Sequence, residues 1–101
     1  MKFKGVTIEE QEIINKILRL FSDKYEFYLY GSRVKGDFSK VSDLDVMIKG
    51  DLEVSLKDID TLKTLFDNSD LPYIVNFVDY HNIDENFYNL IKNSLVKIEL
   101  M

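Results

Sequence analysis

Three stretches of the chain carry apolar residues at the three- and four-residue spacing of an α-helix. The first follows Thr7-Ile8-Glu9-Glu10, whose threonine and second glutamate have the pattern of a helix-capping box. The second follows Ser55, a favourable N-cap residue, and the third begins near Asp84. The apolar positions are Ile13, Ile14, Ile17, Leu18 and Phe21, then Ile59, Leu62, Leu65 and Phe66, then Phe87, Leu90 and Ile91. We therefore predict three helices, each with one buried face.

Three shorter runs between these helices are typical of β-strands. They are the aromatic-rich run from Glu26 to Tyr30, the run from Leu44 to Ile48, and the run from Tyr73 to Val78. The order is then helix, strand, strand, helix, strand, helix, with the middle helix crossing between the second and third strands. This order predicts one α/β (α+β) domain over residues 1–101, with a small mixed three-stranded sheet and helices packed on one face.

Composition and charge narrow the classes of function. The chain has 101 residues, enough for a single core, and it has no cysteine, which excludes disulfides and thiolate metal sites and favours a cytoplasmic location. No apolar run follows the lysines of Met1 to Gly5, so we expect neither a signal peptide nor a membrane span. The net charge of −5 argues against a nucleic acid as the main partner, because phosphate-binding surfaces are usually basic.

The candidate chemistry lies between the first two predicted strands. Gly31 can adopt backbone conformations closed to other residues, and it leaves space for a ligand against the main chain. Ser32 can begin a helical turn whose N–H groups attract phosphate oxygens. Arg33 and Lys35 add positive charge, and Gly36 lets the chain turn back. Together these residues predict a cradle for phosphate groups.

Asp43 and Asp45 are two residues apart at the start of the second predicted strand. Their side chains should therefore point to the same face of the sheet. Two neighbouring carboxylates repel each other unless a cation lies between them. Mg²⁺ (or Mn²⁺) is the natural cation, because it binds hard oxygen ligands together with substrate phosphates. The pair predicts a metal site next to the phosphate cradle.

The spacing of these residues resembles a known signature. Gly-Ser, ten residues and Asp-x-Asp is similar to the pattern of the DNA polymerase beta-type nucleotidyltransferase superfamily. The fuller pattern, Gly-Ser-Arg-x-x-Gly, five residues and Ser-Asp-x-Asp, resembles its smallest branch, the minimal nucleotidyltransferases, over essentially the whole chain. The resemblance implies a palm-like fold, ATP or another NTP as ligand, and nucleotide contacts from the Gly31–Gly36 segment and Ser42. It also implies a HEPN-domain protein as partner, with this chain as the antitoxin of a toxin–antitoxin pair.

The superfamily normally carries a third carboxylate on a neighbouring strand. In the third predicted strand Asn76 stands where that carboxylate is expected, and an asparagine can neither act as a base nor attract a second metal equally well. Asp79 is the alternative. Strand alternation puts it on the face opposite Asn76, so it can serve only if the register shifts or a bulge intervenes. We expect Asn76 to be the equivalent residue and Asp79 to be a strand-end or capping residue.

Two functions from different classes remain open. The chain is either an enzyme that transfers a nucleoside monophosphate to a hydroxyl, with a tyrosine of the partner implied by the resemblance, or a weakened NTP-binding module that neutralises its partner by contact. Only the motif argues against a third reading, a purely structural domain. The oligomeric state is open, including a homo-oligomer.

Three features outside the motif also need an interpretation. His81, the only histidine, is expected in a surface loop. The aromatic strand is either core or a base-stacking platform, and core is the commoner outcome. The apolar C-terminal segment is either core or a surface for a partner; its apolar residues are Leu95, Val96, Ile98, Leu100 and Met101.

Overall fold

The computed structural model describes residues 5–100. Each of the three predicted helix starts is confirmed by its cap. Thr7 Oγ1 accepts the N–H of Glu10 at 3.1 Å and the Glu10 carboxylate accepts the N–H of Thr7 at 3.0 Å, while Ser55 and Asp84 cap their helices through their own side chains. The elements are α1 (Ile8–Leu18), a 3-10 turn (Arg19–Phe21), β1 (Glu26–Tyr30), α2 (Ser32–Lys35), β2 (Leu44–Lys49), α3 (Leu56–Asp67), β3 (Val75–Asp79), α4 (Glu85–Ile91) and β4 (Val96–Lys97).

The strands form one mixed sheet in the order β3-β2-β1-β4. β1 is antiparallel to β2, and β2 is parallel to β3, as α3 crosses between them. The predicted strand count of three is wrong, because β4 adds a fourth strand beside β1. The extra strand is only two residues long, which is too short to produce a readable alternation of apolar and polar residues.

The C-terminal segment belongs largely to the core. Ile98 is only 2% exposed, and its N–H donates to the carbonyl of Phe27 at 2.9 Å. Leu95 and Leu100 pack at the edges of the two apolar clusters, while Val96 is partly exposed. Met101, the last apolar residue of this segment, lies outside the described residues. Residues 1–4, on which the expectation of no signal peptide partly rests, also lie outside them.

Apolar side chains cover both faces of the sheet. On one face Leu44, Val46 and Ile48 of β2 pack in a single cluster with residues of α1 and α3. On the other face Met47 packs with Ile91 of α4 and with its neighbours. The expectation that all helices lie on one face therefore holds for α1 and α3 and is wrong for α4. The physical reason is that β2 carries apolar residues on both faces, and each needs cover.

None of the helices within residues 5–100 is long and apolar enough to cross a membrane.

Candidate active site

The structure brings Asp43, Asp45 and Asn76 together at one end of the sheet. Asp43 comes directly before β2, Asp45 is its second residue, and the parallel register of β2 and β3 sets Asn76 beside Asp45. The amide of Asn76 donates from Nδ2 to Asp43 Oδ2 at 3.0 Å and to Asp45 Oδ1 at 3.3 Å. The amide therefore sits between two carboxylates, where its N–H groups partly offset their mutual repulsion.

The two carboxylates lie in different surroundings. Asp43 is exposed, whereas Asp45 is partly buried. Burial raises the pKa of Asp45 and the charge of Asp43 raises it further, while the hydrogen bond from Asn76 lowers it. Tyr30, which faces Asp45 in the β1–β2 register, is buried, and burial together with the Asp45 charge raises the pKa of Tyr30 to about 12. At neutral pH Tyr30 is thus a neutral phenol beside a pair of carboxylates.

Gly31 fits against Asp45 as only glycine can. Its φ is +87°, in the region that other residues rarely adopt, and a Cβ at this position would collide with Asp45 Oδ2. Gly31 is also the N-cap of α2, whose first residue is Ser32. Because the first N–H groups of a helix have no acceptor inside it, α2 opens next to the carboxylates with donors available for anionic oxygens. Gly36, with φ +94°, ends the same short helix.

The structure does not place Arg33 as a phosphate ligand at this position. Arg33 is 3% exposed and its guanidinium is bonded to backbone carbonyls, so the expected phosphate contact is corrected to a structural one. Ser42 Oγ accepts the N–H of Ser39 at 2.9 Å and lies 3.3 Å from Ser39 Oγ, so the contacts of this hydroxyl in the structure are with Ser39. Lys35 is exposed on α2 and keeps the freedom to reach an anion.

Asp79 lies away from the carboxylate pair. It is 6% exposed, and Oδ2 accepts the N–H of Val54 at 2.8 Å while Oδ1 accepts the N–H of His81 at 3.0 Å. Asp79 is three residues beyond Asn76 in β3, a distance of about 10 Å along a strand. It ties together the loops after β2 and β3, so the structure does not support it as the third ligand. His81 is exposed in that loop, as expected.

Sequence reasoning missed Tyr73. Its ring centroid lies 3.8 Å from the guanidinium carbon of Arg33, and its hydroxyl donates to Glu10 Oε1 at 3.1 Å. The tyrosine thereby connects the cap of α1 to the motif between β1 and β2. The sequence carries no local signal for this contact, since Arg33 and Tyr73 are joined only by the fold.

Comparison with known proteins places these features in a family. A family model described as a nucleotidyltransferase domain matches residues 10–101, almost the entire chain. The chain belongs to the nucleotidyltransferase domain family. The resemblance to minimal nucleotidyltransferases is also confirmed, because the chain is 36% identical over 91 residues to a Haemophilus influenzae protein named "Probable protein adenylyltransferase MntA", covering 90% of this chain and 80% of that protein.

Two solved structures share the fold. One is a toxin–antitoxin complex with AMP-PNP, similar with a TM-score of 0.72 and 21% identity over 90% of this chain and 73% of that chain. The other is a point mutant of the MntA–HpeT toxin–antitoxin, with a TM-score of 0.70 and 22% identity over 94% of this chain and 75% of that chain. At these identities the likeness bears on the fold alone, and it agrees with the predicted nucleotidyltransferase architecture.

Proposed function

We propose that this nucleotidyltransferase-family chain binds ATP or another NTP with Mg²⁺ and transfers the nucleoside monophosphate to a hydroxyl group. The observation that carries the proposal is the pair Asp43 and Asp45, held on one side of the sheet next to the glycine turn at Gly31. Both carboxylates direct an oxygen at the same donor group of Asn76. A cation that replaced this donor would meet two negative oxygens at once.

The residues present fit one divalent metal better than two. Burial and the neighbouring charge raise the pKa of Asp45, and a cation would relieve both effects. Within the described residues no group of three or more acidic, histidine or cysteine side chains is arranged for a metal, so the carboxylates contribute a pair and not a triad. Asp43 and Asp45 would hold the metal, and Asn76 can offer its amide oxygen after rotating its side chain. When bound, Mg²⁺ would neutralise phosphate charge.

Around that position the chain's own groups bind and orient the nucleotide. The N–H groups at the opening of α2 and the Ser32 hydroxyl are donors suited to phosphate oxygens. Lys35 adds a positive charge that can reach outward from α2. Gly31 keeps the main chain close to Asp45, so that phosphate and metal would share one small volume.

Calorimetry with ATP and Mg²⁺ tests the binding, and pyrophosphate release tests the transfer. Asp43→Asn and Asp45→Asn keep the side-chain shape and remove the charge, so each should weaken Mg²⁺-dependent ATP binding by about 10-fold or more. Asp37→Asn is the matched control, because Asp37 is an exposed aspartate of the same segment outside the carboxylate pair. Equal ATP affinity in the wild type and in the Asp43→Asn, Asp45→Asn double variant would refute the proposal.

A second candidate function is favoured by Asn76. If the missing carboxylate prevents turnover, the chain would bind NTP and act on a partner by contact alone. Mg²⁺-dependent ATP binding without pyrophosphate release, in the presence of the partner, would support this candidate. Pyrophosphate release that requires the partner would support the transferase.

For the partner, we propose a HEPN-domain toxin with this chain as its antitoxin, in the cytoplasm. The support is the curated relative, named as a protein adenylyltransferase, together with the fold shared with two toxin–antitoxin structures. The net charge of −5 is consistent with a protein partner that presents a basic surface. Co-expression with a candidate HEPN-domain protein, followed by size-exclusion chromatography and light scattering, measures the assembly and shows whether the chain also self-associates.

A further inference from the structure

The buried guanidinium of Arg33 binds two separate parts of the backbone at once. Nη1 donates to the carbonyl of Gly5 at 2.6 Å, and Nε donates to the carbonyl of Ser42 at 2.9 Å. Nη2 donates to the carbonyls of Lys40 at 3.1 Å and Ser39 at 3.3 Å. Arg33 therefore joins the segment before α1 to the loop that leads into β2.

Two aromatic rings enclose the same guanidinium. Its carbon lies 3.8 Å from the ring centroid of Tyr73 and 4.9 Å from that of Phe38. Aromatic faces and carbonyl oxygens all carry partial negative charge, so together they balance a buried cation without a carboxylate. A planar group with five donors in a fixed geometry suits this environment, and a lysine ammonium does not.

Asp43 depends on this loop more than Asp45 does. Asp45 lies inside β2, paired with Tyr30 on one side and with Asn76 on the other. Asp43 precedes the strand, and on its C-terminal side the backbone is held by the hydrogen bond from the N–H of Leu44 to the carbonyl of Ile74. The backbone on the other side of Asp43 is residues 39–42, which Arg33 holds by three of its four hydrogen bonds.

Gly5 fits Arg33 from the opposite direction. Its φ is +88°, and a Cβ at Gly5 would collide with the carbonyl oxygen of Arg33. The carbonyl of Gly5 receives the guanidinium, and its Cα lies against the Arg33 backbone. Any other residue at position 5 would push the two segments apart and lengthen that hydrogen bond.

We propose that Arg33 and Gly5 form a latch, the Gly5–Arg33 latch, that fixes residues 39–42 and thereby positions Asp43 for metal–nucleotide binding. Arg33 is a positioning residue in this scheme and does not touch the phosphates. The inference rests on the proposed function in that it takes Asp43 as a metal ligand. It adds that a backbone site before α1 controls the affinity of the carboxylate pair.

The test compares Arg33→Lys, Arg33→Met and Gly5→Ala with the wild type by two measurements. The first is amide hydrogen exchange of residues 39–43 in the ligand-free protein, and the second is the affinity for Mn²⁺ with ATP, followed by the Mn²⁺ EPR signal. We expect faster exchange in this loop and affinity lower by about 10- to 100-fold in all three variants, the range seen when groups behind a metal ligand are removed. Lysine should not rescue the loss.

The control is a core variant with a similar loss of stability. Ile14→Val or Ile14→Ala, whichever matches the unfolding free energy of the latch variants, alters a fully buried residue of α1 that makes no hydrogen bond to Arg33 through its side chain. It should leave both exchange in residues 39–43 and Mn²⁺–ATP affinity at the wild-type value. An equal loss of affinity in the control would overturn the latch, because general destabilisation would then explain the data.

The remaining outcomes separate the latch from the proposed function. Retained affinity in Arg33→Lys with loss in Arg33→Met would overturn the latch in favour of a simple charge effect. Unchanged exchange and affinity in Gly5→Ala would overturn it even if the Arg33 variants fail to fold. If the wild type does not bind Mn²⁺ with ATP, the proposed function fails, and faster exchange of residues 39–43 in Gly5→Ala still supports the latch as a structural device.

Discussion

Replacing Asn76 with aspartate should make the ligand-free protein less stable and more dependent on metal. The amide now donates to Asp43 at 3.0 Å and to Asp45 at 3.3 Å, and Asn76→Asp replaces both hydrogen bonds with carboxylate repulsion. Unit charges 4 Å apart interact by about 1 kcal/mol in water and about 4 kcal/mol near a protein surface. Because Asn76 is exposed, we take the lower part of that range for each pair.

Two such pairs give a loss of about 2–4 kcal/mol in unfolding free energy at neutral pH without metal. For a domain of this size the loss lowers Tm by roughly 10–20 °C. The deficit should shrink as the pH falls. Crowded carboxylates have raised pKa values in the folded state, so they take up protons before the unfolded chain does and the repulsion disappears.

Thermal unfolding with EDTA and with Mg²⁺ measures the effect. A ligand at one hundred times its Kd adds about 2.7 kcal/mol, so saturating Mg²⁺ should restore most of the loss in Asn76→Asp and raise the wild type less. Asn76→Ala is the control, since it removes the donors without adding charge and should gain no extra metal response. Equal Tm values for Asn76→Asp and the wild type in EDTA would refute the electrostatic reasoning. So would equal stabilisation of both by Mg²⁺.

Two further substitutions test other contacts. Gly31→Ala should lower the unfolding free energy in urea by about 1–3 kcal/mol and also weaken Mn²⁺ binding, because it combines a strained φ with a collision at Asp45. Gly36→Ala is the control: its φ has the same sign but nothing lies near its Cβ, so it should lose stability without losing Mn²⁺ binding. An equal loss of Mn²⁺ binding in both variants would contradict this account. Tyr25→Phe should cost about 1.5–3 kcal/mol at pH 7, because the Tyr25 hydroxyl donates to Asp58 at 2.5 Å and is the main cause that lowers the pKa of Asp58. A carboxyl whose pKa is lowered by folding stabilises the fold above its unfolded-state pKa, and this contribution is lost as the pH falls through its folded-state pKa. The loss of unfolding free energy in Tyr25→Phe, measured in urea, should therefore be smaller at pH 3 than at pH 7. An equal loss at both pH values would count against the hydrogen bond.

Features that depend on a few neighbouring residues could be predicted from the sequence. The caps at Thr7, Ser55 and Asp84 each join a side chain to a backbone N–H three residues away, so both partners lie within one short segment of the sequence. The place of Asn76 was expected from the family resemblance, and strand alternation put Asp79 on the opposite face of the strand. The parallel register of β2 and β3 sets Asn76 beside Asp45. β4 was not predictable, since its two residues pair with β1 only after the core has brought the C-terminal segment there.

Arg33 shows why the sequence alone misassigns part of the site. An arginine beside a Gly-Ser turn is chemically suited to phosphate, and it is equally suited to a cluster of carbonyl oxygens, since both accept its N–H groups. The choice depends on which acceptors the fold places around the guanidinium. Here residues 39–42 curl back to offer three carbonyls, and Tyr73 and Gly5 close the remaining sides from distant parts of the sequence. Moving the guanidinium to a phosphate would leave four carbonyls without this donor, so in the proposed function the positive charge for phosphate would come from exposed groups such as Lys35 and from the opening of α2.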